Sequence, residues 1–272
     1  MNTEHIEPKF TAMGARFKVR ITRPSRWAWR TTESDYAVDI QRDRNGEFFE
    51  LRVPERLHKQ MSLIIPQSEP KDRHLLLRVQ KAGSKKLDHF LCGHDERHWF
   101  SAAVPSNVAS VRDAMDALQP KEVDNAVVYH RVPTTQRHKR KNSAFRRQGE
   151  WFFIPEPGLK VNERWILGDE PIRRGQGKPH LVEQLIRKGG HTVWVCSRHP
   201  NGLTEQEYRE ELRRNAVAAT WRWQAMRRDP MAYARGRVRH PDHATITLPF
   251  WHRVVMNTET ESRFMPNLAF LD

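Results

Sequence analysis

The sequence predicts an α+β protein of two mixed, strand-rich domains with a few short helices, and three observations support this expectation. Short runs that alternate apolar and polar residues, the period of a half-buried strand, recur through both halves of the chain. Helical spacing of three to four residues occurs only in a few short stretches between them, in an order unlike a regularly alternating parallel-sheet design. A polar, basic stretch, Tyr129–Arg147 (YHRVPTTQRHKRKNSAFRR), parts the chain near its middle. The expected division is a domain over 1–128, a basic linker over 129–147 and a second domain over 148–272.

In chain order, the first clear element is a hairpin over Tyr36–Val53 (YAVDIQRDRNGEFFELRV). Apolar residues alternate on both sides of Asn45-Gly46, a pair that tolerates the positive φ angles of a tight type I′ turn. HLLLRVQ from His74, KLDHFLCGH from Lys86 and HWFSAAV from His98 follow as three further strands. Val108, Val111, Met115 and Leu118 then share one helical face, and Pro120 stops that helix. In the second half, Glu150–Pro155 (EWFFIP) has the pattern of a strand. Pro179–Gly190 (PHLVEQLIRKGG) has that of a short helix, with Pro at its start and Gly past its end. HTVWVC, from His191, is another strand, and Thr204-Glu205-Gln206-Glu207 forms a capping box that opens a helix ending near Arg214. Strand patterns return at Thr220–Met226, Tyr233–Arg239, Ala244–Leu248 and His252–Asn257.

A chain of 272 residues can bury a substantial core without disulfides or metals. It has only two cysteines, no segment with the features of a secretion signal, and apolar runs (Met61–Ile65, Thr245–Phe250) far short of the roughly 18 residues of a membrane span. A cytoplasmic protein with no membrane partner is expected. The 47 Lys and Arg against 33 Asp and Glu give a formal charge of +14, which favours nucleic acid or another polyanion as partner, although net charge also serves solubility. Arg137, Lys139, Arg140, Lys141, Arg146 and Arg147 crowd the basic stretch, and Trp221-Arg222-Trp223 precedes Arg227 and Arg228. Exposed indoles there would stack on unpaired bases, while two tryptophans on one strand face equally fit a core.

The residues best suited to chemistry are histidines. In an uninterrupted strand His240 and His243 would face opposite ways, but Pro241-Asp242 between them suits a type I turn that draws the pair together. With His252 on the returning strand, they form a candidate imidazole set for Zn or another divalent metal. Asp242 and Glu183 are candidate bases. The same four residues, His240 to His243, also fit a plain hairpin turn. A second cluster, Cys92, His94 and His98, offers three ligand types, and Cys196 and His199 have C-x-x-H spacing. Arg173–His180 (RRGQGKPH) carries glycines and cations that suit phosphate, without the full P-loop or dinucleotide spacing. No Gly-x-Ser-x-Gly elbow or His-Glu-x-x-His helix is present.

RRQGEWFFIP (Arg146–Pro155), GKPH (Gly177–His180) and RHPDHATITLPFWHRV (Arg239–Val254) resemble a group of bacterial and phage proteins of no assigned activity. In that group an Arg-Gln-Gly-acidic strand opens the domain, a Gly-His-rich turn lies centrally, and a His-x-x-His turn precedes a Leu-Pro segment. The resemblance covers roughly the last 125 residues and implies that His180, His240 and His243 belong to one site. Lys178 stands at the central turn where that pattern has a further histidine. The function expected first is nucleic-acid or polyanion binding; the alternatives are a metal-dependent hydrolase, with phosphodiesters as a candidate substrate and water as nucleophile, and a structural or protein-interaction module.

Overall fold

The structure, a computed structural model, describes residues 3–23, 36–84, 87–174 and 177–259. Of the described residues, strands account for 48% and helices for 20%, so the described part is mostly β and fits the expected α+β class only loosely. It divides into two compact units: the described residues through Phe152 with Pro241–Ala244 and 256–259, and Phe153–His240 with Thr245–Val255.

In the first unit, α1 (Glu7–Ala12) precedes a three-stranded sheet of β1 (Phe17–Thr22), β2 (Ala37–Asp43) and β3 (Gly46–Pro54) in the order β1-β3-β2. A single turn, α2 (Glu55–His58), leads to the antiparallel meander β4 (Met61–Glu69), β5 (His74–Lys81), β6 (Leu87–Asp95) and β7 (His98–Val104). The main core draws Phe10 from α1, Phe17, Phe49 and Leu51 from the first sheet, and Leu75, Leu77 and Cys92 from the meander. The opposite face of the meander, through Leu76 and Leu91, packs on Val111 and Ala114 of α3 (Val111–Ala117). Leu75, Leu76 and Leu77 are therefore all fully buried, which is why this strand is a continuous apolar run with no alternation.

Local chemistry explains the boundaries. Asp43 pairs with Gly46, so the β2–β3 loop is Arg44-Asn45, and of residues 44 to 46 only Gly46 has positive φ (100°). The hairpin is present, but the expected type I′ turn is replaced by a turn closed by a left-handed glycine. Asp43 also accepts from Arg16 and Lys18 (2.8 Å each), and the Arg16 bond, then that of Lys18, holds its carboxyl far below the ordinary range. Ser110 and Asp113 cap α3 reciprocally. Pro120 ends that helix and also serves as N-cap of α4 (Lys121–Tyr129).

The basic stretch 129–147, expected to be a linker, is folded within the first unit. Val132, Ala144 and Phe145 are at most 3% exposed, and the Phe145 ring packs edge-on against Phe152 at 5.1 Å. Three scattered apolar anchors among cations produce no periodicity, so the sequence pattern hides them. The stretch ends in β8 (Arg146–Gln148), and β9 (Trp151–Pro155) follows.

The second unit has two sheets. The larger includes β10 (Leu167–Ile172), β11 (His180–Lys188), β15 (Met231–Arg239) and β16 (Ile246–Met256), hydrogen-bonded in that order. The smaller orders β13 (His199–Leu203), β12 (His191–Cys196) and β14 (Gln224–Arg228). The helix α5 (Glu205–Arg214) has the capping box foreseen at Thr204 and Glu207. The expected helix over Pro179–Gly190 is instead β11, because its backbone groups pair with strands on both sides, β10 and β15. Tertiary pairing overrides a nine-residue pattern that suits either period. The two strands expected at 244–248 and 252–257 are a single strand, β16. The strand expected at Thr220–Met226 starts later, at Gln224, after a 3-10 turn over Ala216–Thr220.

Gly93 is required by close approach. A Cβ there would lie 2.4 Å from His74 Cδ2 and 2.7 Å from Phe100 Cζ, the rings that flank it on β5 and β7. Gly93→Ala is expected to cost about 1–3 kcal/mol by overpacking. Urea denaturation should show a lower midpoint at unchanged slope, and an unaltered midpoint would contradict the packing described.

Candidate metal centre

The candidate centre begins with a strand irregularity. From Lys188↔Met231 to Gln184↔Arg235, β11 and β15 pair in one register, and from Val182↔Val238 to Leu181↔Arg239 they pair in another, shifted by one residue. Gly236 and Arg237 together oppose Glu183, which defines a bulge whose first residue is a glycine with φ +85°. Glu183 Oε2 accepts from both Arg237 N and Arg237 Nε at 2.9 Å, and these bonds hold its carboxyl below the ordinary range. Glu183 therefore secures the bulge and is not a candidate base.

The extra residue determines what faces what. Continuing the register beyond Leu181↔Arg239 sets His180 opposite His240, on the face shared by the Val182–Val238 pair. Without the bulge, Arg239 would stand opposite His180. The two imidazoles stack with centroids 4.1 Å apart and planes 24° from parallel. His180 is 1% exposed and His240 is half-buried.

His243 lies three residues farther, in the bend joining β15 to β16. Within the first unit this bend is held at Ala244, whose N–H donates to Glu96 Oε2 (2.6 Å) and whose carbonyl accepts from Gln148 Nε2 (2.7 Å). His243 Nδ1 is 3.7 Å from Glu96 Oε2, and Asp242 Oδ1 is 3.9 Å from His98 Nε2.

One ring nitrogen each from His180, His240 and His243 falls within 4.8 Å of the others. Tetrahedral ligands on a zinc ion at about 2.0–2.1 Å stand roughly 3.3 Å apart, so the rings must draw together to bind one. Stacked rings aim their lone pairs side by side, so His180 and His240 must also splay. The donor set, three imidazoles, suits Zn and neighbouring divalent transition metals.

The other expected site residues stand elsewhere. His252 is buried on β16, donates from Nδ1 to the Phe250 carbonyl (2.7 Å) and stacks on the Phe250 ring, outside the three-histidine group. His98 Nδ1 bonds Glu47 Oε1 (2.6 Å), and His94 packs edge-on against Trp99. Burial works to raise the Glu47 carboxyl, but bonds from His98 and the Trp99 N–H outweigh it and keep the group below its ordinary range. Cys92 is fully buried, and that burial pushes its thiol up to about 12. Cys196 and His199 face each other across the β12–β13 pair, and neither joins a metal-type group among the described residues. Of the cations in 129–147, Arg137, Lys139 and Lys141 are exposed. Arg140 pairs with Asp95 (2.5 Å) and Glu96 (2.7 Å), half-buried Arg147 lies 3.4 Å from Asp95, and Arg146 is half-buried. Lys178 and the half of RRGQGKPH around it are described except for residues 175 and 176.

Compared with family models, curated proteins and solved structures, the chain matches none of them. The site therefore rests on its own geometry. The signal that would have revealed the bulge is an isolated glycine within a strand pattern, Gly236 in YARGRVR.

Two outcomes follow from this arrangement. Gly236→Val, which forces a β-branched residue into positive φ with its Cβ 3.0 Å from the Glu183 side chain, should cost at least about 1–2 kcal/mol. It should also weaken metal binding, because the His180–His240 pairing loses its register; calorimetric zinc titration at wild-type affinity would contradict this. Cys92 should resist a thiol reagent at neutral pH in the native protein and react after unfolding, and rapid native labelling at Cys92 would disagree with its burial.

Proposed function

We propose that the protein is a metal-dependent hydrolase acting on phosphodiesters, with His180, His240 and His243 as the ligands of zinc or a similar divalent ion. One observation supports this reading: three imidazole nitrogens from β11, the end of β15 and the following bend lie within 4.8 Å of one another. Three protein ligands leave a fourth position for water or substrate, the pattern of catalytic rather than structural zinc sites. A divalent ion so held supplies Lewis acidity, activating water and polarising a phosphoryl oxygen. His180 is buried, and His240 and His243 are half-buried. The formal charge of +14 favours an anionic substrate.

A second reading, polyanion binding without catalysis, rests on the same net charge. The two separate experimentally. Protein purified without a metal-binding tag and stripped of nucleic acid at high salt should carry about one zinc-class ion per chain. The His240→Ala/His243→Ala variant should carry none. Hydrolysis of a bis-aryl phosphate should disappear in chelator and return with added zinc. Metal retained by the double variant, or hydrolysis undiminished in chelator, would overturn the proposal, and metal without hydrolysis would leave binding alone.

A further inference from the structure

A separate feature of the second unit, independent of the histidine centre, is the aromatic face of the sheet β13-β12-β14. The register Trp194↔Ala225 places Trp194 and Trp223 on one face, since residues 223 and 225 share a side. His199, opposite Cys196, joins that face from β13. The rings form a continuous series. Trp194 stacks on Tyr208 of α5 (4.5 Å, 17°), Tyr208 meets Trp223 edge-on (4.9 Å), and Trp223 lies nearly parallel to His199 (5.6 Å, 15°). Trp221 completes the group at 5.7 Å from His199 and 5.8 Å from Trp223. Trp194 Nε1 donates to Glu205 (2.6 Å) and Trp223 Nε1 to the Ala218 carbonyl (2.8 Å), which fixes these two indoles. All five rings remain half-exposed.

Cations border this face. The Arg198 guanidinium lies over the Trp221 ring at 4.8 Å, and Arg198, Arg222 and Arg227 are exposed. Arg227 and Arg228 bond backbone carbonyls, of Gly190 (3.3 Å) and Gly202 (2.7 Å). Among the described residues none of these four arginines has a carboxylate within 4.0 Å, whereas Arg209 and Arg214 on α5 are paired with Glu205 and Glu211. A folded core requires neither a row of half-exposed rings nor exposed arginines at their border.

We infer that this face binds single-stranded nucleic acid, with bases stacking on the Trp221–His199–Trp223 group and phosphates meeting Arg198, Arg222 and Arg227. Unpaired bases offer their faces to aromatic rings, whereas a duplex encloses them, so the ligand is a single strand. The planar guanidinium matches phosphate geometry and also stacks on rings, as Arg198 already does.

The test is a fluorescence titration of the full chain with labelled oligo(dT) and with a duplex of equal length. Oligo(dT) should bind more tightly than duplex, and Trp221→Ala should weaken it about tenfold. Arg198→Gln/Arg222→Gln, whose side chains enter no core, should keep the wild-type circular dichroism and lower the slope of log affinity against log salt by about 1.4. Equal affinity for duplex, or wild-type affinity and salt slope in the arginine variant, would overturn the inference. Should Trp221→Ala fail to fold, the arginine variant and the duplex comparison decide.

Discussion

The extra residue at Gly236 governs the candidate centre. A bulge is the means by which an antiparallel pair changes register without ending, and here it changes which side chains meet at the far end of β11 and β15. With it, Val182 pairs with Val238 and His180 comes opposite His240; without it, arginines would take those places. Only a residue without a Cβ occupies φ +85° at little cost with Glu183 3.0 Å away. The carboxylate that crowds Gly236 also binds the Arg237 N–H and guanidinium, so steric and electrostatic constraints fix the same conformation.

Two stacked imidazoles with a third nearby form a donor set that a divalent transition metal would organise. Part of any binding energy must be used to pull the rings from stacked to convergent positions. Affinity then depends on how firmly the strands hold the two histidines, which links the metal reading to the bulge. The aromatic face of the smaller sheet uses different physics. Trp194 and Trp223 are fixed by indole hydrogen bonds, and Arg227 and Arg228 at its border donate to backbone carbonyls.

Local chemistry made parts of this legible in the sequence. Thr204 and Glu207 announced the start of α5, Asn45-Gly46 the β2–β3 hairpin, and Pro241-Asp242 the bend that separates His240 from His243. Long-range pairing hid the rest. Val182, Leu185 and Ile186 fit a helical face as well as a strand, and only the partners on both sides make the segment β11. Val132, Ala144 and Phe145 are too widely spaced to form a pattern, so a folded segment resembled a linker. His180 could be associated with His240 through resemblance, but its position opposite His240 depends on a register that no local spacing encodes. The same limit applies to His252, whose nearness along the chain to His243 did not place it in the group.

The most direct test of a three-imidazole centre is X-ray absorption at the zinc edge of the zinc-loaded protein. A nitrogen shell at about 2.0–2.1 Å, with outer scattering from three imidazoles that falls to two in His243→Ala, is the predicted result. A sulfur shell near about 2.3 Å, or a spectrum unchanged by the His243 substitution, would contradict the account.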